Sequence, residues 1–145
     1  MHFSETIDAP RDKVWDTLID RDSYKKWTAP FMEGSYFEGS WNKGDRIRFL
    51  APDGGGMTSV IEENRPHEFI SIKHLGEVKN GVDDLDSQSV RRWAPAYENY
   101  TLKSAGRSTE VHIDVDVTPD YEQFMQEKWP VALGKLKSLS EASSR

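Results

Sequence analysis

The stretch that constrains this chain most is Thr118 to Ser140, TPDYEQFMQEKWPVALGKLKSLS. At a helical period Tyr121, Phe124, Met125, Trp129, Ala132, Leu133, Leu136 and Leu139 fall on one broad stripe, with most charged and amide side chains off it. A stripe that wide belongs to a helix that something covers. Thr118 suits the N-cap, Pro119 the first helical position, and Asp120 and Glu122 the positive end of the helix dipole. At about 1.5 Å per residue such a helix is roughly 33 Å long, enough to cross a small domain. Pro130 opposes it, because an interior proline removes a backbone donor and costs about 3 kcal/mol. Burying the stripe is worth roughly 12 to 24 kcal/mol gross, an upper bound against a compact unfolded chain. The spacing therefore predicts one helix, bent at Pro130 around whatever it packs on.

What it packs on is written upstream in other periods. His2 to Asp8 alternates, with Phe3 and Ile7 on one face, and reads as a strand. Pro10 opens a short helix at its first position, with Val14, Trp15, Leu18 and Ile19 as its apolar stripe. Ser23 caps a second, carrying Tyr24, Trp27 and Phe31 until Pro30 stops it. From Ser35 the period is two. Ser35 to Gly39, Asp45 to Ala51, Met57 to Glu63, His67 to Glu77, Tyr97 to Ser104 and the run around Val111, Ile113, Val115 and Val117 read as strands. Asp53-Gly54-Gly55-Gly56 makes a hairpin turn and lacks the Lys-Ser/Thr of a phosphate loop. Lys79 to Pro95 shows no period and reads as a long loop, either a cover over a site or a disordered segment. An antiparallel sheet with a wet outer face must cover its inner face, and the C-terminal helix is the element long enough. The expectation is an α+β helix-grip fold: a curved antiparallel sheet of about six to seven strands on a long C-terminal helix, with two short helices after the first strand.

Composition narrows the function classes. At 145 residues the chain is expected to be a single domain, 1–145, with a real core. There is no cysteine, which excludes a disulfide framework and a thiolate metal site. A net charge of -6 argues against a phosphate-tracking surface, so nucleic acid is not expected as a partner. No apolar run is long enough for a membrane span and no leader pattern opens the chain, which gives a cytoplasmic expectation.

Parity selects the candidate site. Ile70, Ile72 and His74 share a strand face, as do Glu98, Tyr100 and Leu102, so both an imidazole and a carboxylate are expected on the inner side. If the two meet, His74 and Glu98 form a general acid/base couple; otherwise His74 is a core-edge histidine satisfied by the backbone and Glu98 sits in solvent or pairs with a lysine. His67 and His74 should point to opposite faces, and His112, with Glu110 and Asp114, should point outward. With no two histidines converging, no metal site is expected, and no cofactor either. Lys128 lies inside the stripe of the last helix, where its stem covers apolar surface or its ammonium anchors an acidic head group. Trp27, Phe31, Trp41, Phe49, Met57, Ile72, Trp93, Tyr100, Met125 and Trp129 are the expected apolar lining.

Several phrases in their joint order carry a resemblance. They are Ala9-Pro10 with Val14-Trp15 and Leu18, Tyr24 to Thr28 (YKKWT), Trp41 to Asp45 (WNKGD), Ile72 to Gly76 (IKHLG), Glu98 to Leu102 (ENYTL), and Trp129-Pro130 with Leu133 and Leu136. The chain resembles the family of heat-shock protein 90 ATPase activator homologues, within the START-like helix-grip superfamily. The resemblance spans nearly the whole chain. It implies an apolar cavity between sheet and helix, in a superfamily that mostly binds hydrophobic small molecules and sometimes turns them over. The co-chaperones the family is named after carry an additional N-terminal domain, which these residues are not expected to supply. Three readings stay open: a non-enzymatic module for a small apolar or amphipathic ligand, an interaction module for a chaperone or other protein, and a cyclase- or hydrolase-like enzyme using His74 and Glu98.

Overall fold

The computed structural model describes residues 1–143. β1 (His2–Ile7) leads to α1 (Arg11–Ile19) and α2 (Arg21–Trp27). Then come β2 (Tyr36–Gly39), β3 (Arg46–Leu50), β4 (Gly56–Arg65), β5 (Phe69–Lys79) and β6 (Val82–Asp84). The single-turn α3 (Gln88–Arg91), β7 (Ala96–Ala105), β8 (Ser108–Val115) and α4 (Glu122–Ser143) complete the described chain. The strands form one antiparallel sheet in the order β1-β8-β7-β5-β4-β3-β2, with β6 attached to β5. This is the expected α+β arrangement, an open antiparallel sheet with a long C-terminal helix. The β4–β5 register shifts twice, between Thr58 and Ser59 and between Ile61 and Glu63. Shifts of this kind raise the local twist and bend a strand. Among the described residues no helix is long and apolar enough to cross a membrane.

The core lies between the sheet's inner face and the helices. Val14, Trp15 and Leu18 of α1 and Trp27 of α2 meet Trp129, Ala132, Leu133 and Leu136 of α4 over Ile7, Ile70, Ile72, Tyr100, Leu102, Val111 and Ile113. α4 runs on through Pro130, which is exposed, because the stripe on its other side buries Trp129, Ala132, Leu133 and Leu136. The stripe is not covered along its whole length. Met125 is half-buried, Phe124 is 37% exposed and Tyr121 57% exposed. Farther along, α4 lies beside the first strand: Trp129 stacks on Phe3, and Glu141 accepts from the N–H of Asp8, just past β1.

The local expectations need four corrections. Thr118 makes no side-chain cap; Pro119–Tyr121 forms a 3-10 turn and α4 proper starts at Glu122. Pro10 is the N-cap of α1 rather than its first residue. Asp20, not Ser23, caps α2, its carboxylate accepting from the N–H groups of Asp22 and Ser23, while the Ser23 hydroxyl donates to the Thr17 carbonyl. Residues 79–95 are not a long loop. Asn80 and Gly81, both with positive φ, turn β5 directly into β6, the two-residue hairpin for which Asn-Gly is suited. Ser87 then caps α3, which buries Val90 completely. Gly76 admits β6: a Cβ there would lie 2.1 Å from the Asp84 carbonyl oxygen.

Candidate functional site

β4, β5 and β7 lie side by side, and their registers set Ser59 opposite His74 and Ile72 opposite Glu98. Ile70, Ile72 and His74 are all buried, so the shared inner face read from parity holds. A four-residue polar chain results. Ser59 Oγ lies 2.7 Å from His74 Nδ1, and His74 Nε2 lies 3.0 Å from Glu98 Oε1. The Tyr100 hydroxyl donates to Glu98 Oε2. His74 and Glu98 are thus together, as the acid/base couple requires. His67, in contrast, sits outside β5 with φ 68, in the turn before it, its ring edge-on to Trp15.

Hydrogen-bond accounting assigns the protons along this chain. Ser59 is fully buried, and among the described residues His74 Nδ1 is the one partner of its hydroxyl. If Nδ1 carried a hydrogen, Ser59 would accept it and its own O–H would be left unmet, at a cost of about 1 to 3 kcal/mol. With a neutral imidazole every group is matched: Ser59 donates to Nδ1, Nε2–H donates to Glu98, and Tyr100 donates to the other oxygen. Glu98 is then a carboxylate held by two donors, His74 and Tyr100, and among the described residues no lysine or arginine pairs with it. Its side chain keeps 23% exposure, against 6% for His74, so the chain opens outward at the carboxylate.

Aromatic rings surround it. Phe49 lies 5.7 Å from the His74 ring and touches Tyr24 and Trp41. Tyr100 packs on Trp27 and Trp129, and Phe31 on Trp129 at 4.8 Å. The Tyr24 and Tyr100 phenols are both pushed well above their ordinary range, first by burial and then by the Glu98 charge. Trp27 donates its indole N–H to the Leu18 carbonyl, whereas the buried indole nitrogens of Trp41 and Trp129 meet no protein acceptor. Of the other residues expected at the site, Ile72 is core and Met57 is half-buried opposite Phe49. Trp93 is half-buried behind α3 and makes no ring contact with the aromatic cluster. Lys128 holds its ammonium 5.9 Å over the Phe124 ring, on the uncovered part of α4.

Two features were not foreseen. Ser59 joins the chain, a residue that no motif marks. On the outer face, two histidines do converge: His2 Nε2 lies 3.3 Å from His112 Nδ1, with Asp114 on the far nitrogen of His2 at 2.8 Å and Glu110 on that of His112 at 3.2 Å. The expectation overlooked His2, which the β1–β8 pairing carries beside His112. Among the described residues no group of three or more His, Cys, Asp or Glu is arranged to hold a metal ion. An open surface depression of about 1050 Å³ lies elsewhere, between Lys13, Asp16, Asp20, Arg21, Phe37, Trp41 and Leu139. It is ringed by solvated helix-end charges, so the buried His74–Glu98 chain is the better candidate on chemical grounds.

A family profile described as "Activator of Hsp90 ATPase homolog 1-like protein" matches residues 8–141. No curated protein matches the sequence. Among solved structures, protein MLL2253 from Mesorhizobium loti is similar at 17% identity and a TM-score of 0.73, over 100% of this chain and 98% of that one. The Aha1 dimer from Colwellia psychrerythraea is similar at 20% identity and a TM-score of 0.73, over 97% and 95%. DynU16, a protein in the dynemicin biosynthetic locus, is similar at 14% identity and a TM-score of 0.70, over 99% of this chain and 48% of that one. Identities this low establish a common fold.

Proposed function

The chain belongs to the family of Activator of Hsp90 ATPase homolog 1-like proteins, and from that premise we propose that it is a cytoplasmic binding module for a small amphipathic molecule, held without turnover between the sheet and α4. The observation that carries this reading is the Ser59–His74–Glu98–Tyr100 chain, which holds a partly exposed carboxylate among aromatic side chains. A few fixed polar groups in an apolar surround are what orient a small ligand. The unmet indole N–H of Trp129, packed on Tyr100, supports it further, because a buried donor without an acceptor is costly and a ligand oxygen would satisfy it.

The test is an amide and indole NMR titration against lipids, sterols, aromatic polyketides and flavonoids. Saturable shifts at the Trp129 and Trp41 indoles and along the His74 strand, with the Trp27 indole still on Leu18, are the expected result. A silent panel would remove the reading and direct attention to a protein partner, starting with a chaperone pull-down.

The 3.0 Å contact between His74 and Glu98 favours a second reading, in which the couple moves a proton on a bound molecule. His74→Ala separates the two. It abolishes turnover of any compound found by titration under the second reading and only shifts affinity under the first.

A further inference from the structure

The same site, if it binds a small molecule as proposed above, has a charge preference written into it. We propose that its ligand is an amphipathic organic cation, its positive end at Glu98 and its apolar body against Phe31, Met125 and the uncovered beginning of α4. The argument starts from the proton assignment. Among the described residues the Ser59 hydroxyl has no acceptor other than His74 Nδ1, so the arrangement that matches every group has Nδ1 accepting, Nε2–H donating to Glu98 and the carboxylate as the acceptor at the end of the line. His74 and Tyr100 supply two hydrogen bonds to that carboxylate but no compensating positive charge. A carboxylate in this position is costly unless paired, and no lysine or arginine among the described residues pairs with it. A ligand cation would supply the missing partner.

The surroundings fit the same charge. The faces of aromatic rings attract cations, and attract them more strongly where water is excluded. Tyr100 bonds the carboxylate directly, the Tyr24 phenol lies near enough to feel its charge, and Phe49 borders His74. Apolar side chains follow one another from the carboxylate to the surface: Glu98 touches Tyr100, Tyr100 packs on Trp129, Trp129 on Phe31, and Met125 lies one helical turn before Trp129. From there the stripe emerges into solvent at Phe124 and Tyr121. An anionic head group would meet repulsion at Glu98, and a neutral one would leave the charge unpaired. The net charge of -6 acts in the same direction at long range.

The experiment uses the full chain and three probes of one shape: choline phenyl ether, its carbon isostere 3,3-dimethylbutyl phenyl ether, and 4-phenoxybutanoate. Affinities are read from Trp fluorescence and from the indole NMR signals. The cation should bind about tenfold or more tighter than its isostere, with the anion weakest. In Glu98→Gln the preference for the cation should shrink to within about threefold. Equal binding of cation and isostere, or tighter binding of the anion, would overturn the charge assignment while leaving a binding site in place. No saturable shift from any of the three would remove the binding reading along with it. The contrast is measured in the unaltered protein, so it stands even if Glu98→Gln does not fold.

Discussion

One sheet carries a histidine–carboxylate chain on each face, and the two are made of nearly the same parts. Inside, Ser59, His74, Glu98 and Tyr100 form a line in which the histidine is 5% exposed. Outside, Asp114, His2, His112 and Glu110 form another, with the side chain of His2 at 52% exposure and that of Asp114 at 57%. The distances are alike and the physics is not. Water competes for every group in the outer chain, so each contact replaces a solvent contact of similar worth and salt screens what remains. In the inner chain Ser59 and His74 are out of reach of water, so each depends on the other, and solvent meets the line only at Glu98. Equal geometry on the two faces therefore does not mean equal energy.

Removing the central member of the inner chain should show the largest contrast. His74→Ala strands a buried hydroxyl and a carboxylate together, and should lower stability in urea unfolding by about 3 to 5 kcal/mol. His112→Ala in the outer chain should stay within about 0.5 kcal/mol of the parent. Similar losses from both would mean that burial does not separate them.

Tyr100→Phe keeps the ring and removes one donor to Glu98. The expected loss is about 1.5 to 3 kcal/mol, the range for a hydrogen bond to a charged group, by the same unfolding assay. No change would mean the hydroxyl does not serve the carboxylate.

Alkaline pH tests the inner chain without mutation. The Tyr24 and Tyr100 phenols are raised above the ordinary value of 10.0 in the folded chain, by burial and by Glu98. As pH rises past that value the unfolded chain loses these protons first, so the folded state binds more protons and stability falls. The contribution is complete below about pH 10 and declines above it. The urea midpoint should drop over that range, and the drop should be smaller in Tyr24→Phe and Tyr100→Phe. An unchanged slope in both variants would count against the inner phenols.

The smallest effect belongs to the outer pair. A double-mutant cycle on His2 and Asp114 should give a coupling of about 0.2 to 1 kcal/mol that fades in 1 M salt. A large coupling that persists in high salt would erase the distinction between the faces.

Much of this was legible in the sequence, because periodicity reports which side of an element is covered. Parity placed His74 with Ile70 and Ile72 and Glu98 with Tyr100, and both sets lie on the inner face. Local chemistry was legible where it was read: Asn80-Gly81 announces a tight hairpin, and reading residues 79–95 as one loop passed over it. His2 was missed for another reason. Its neighbour, His112, is far away in sequence, and nothing in either segment says that β1 pairs with β8.

The sequence by itself determined the elements, the face each one buries and the presence of an imidazole and a carboxylate on the inner side, since these follow from spacings of two and of three to four residues along one segment. Tertiary structure decided what those faces meet. It brought Ser59 beside His74, left Tyr121 and Phe124 uncovered, and among the described residues gave Glu98 no lysine or arginine partner. Each of these depends on pairing registers and on the reach of a neighbouring element. Those are contacts between distant segments, and no local period encodes them.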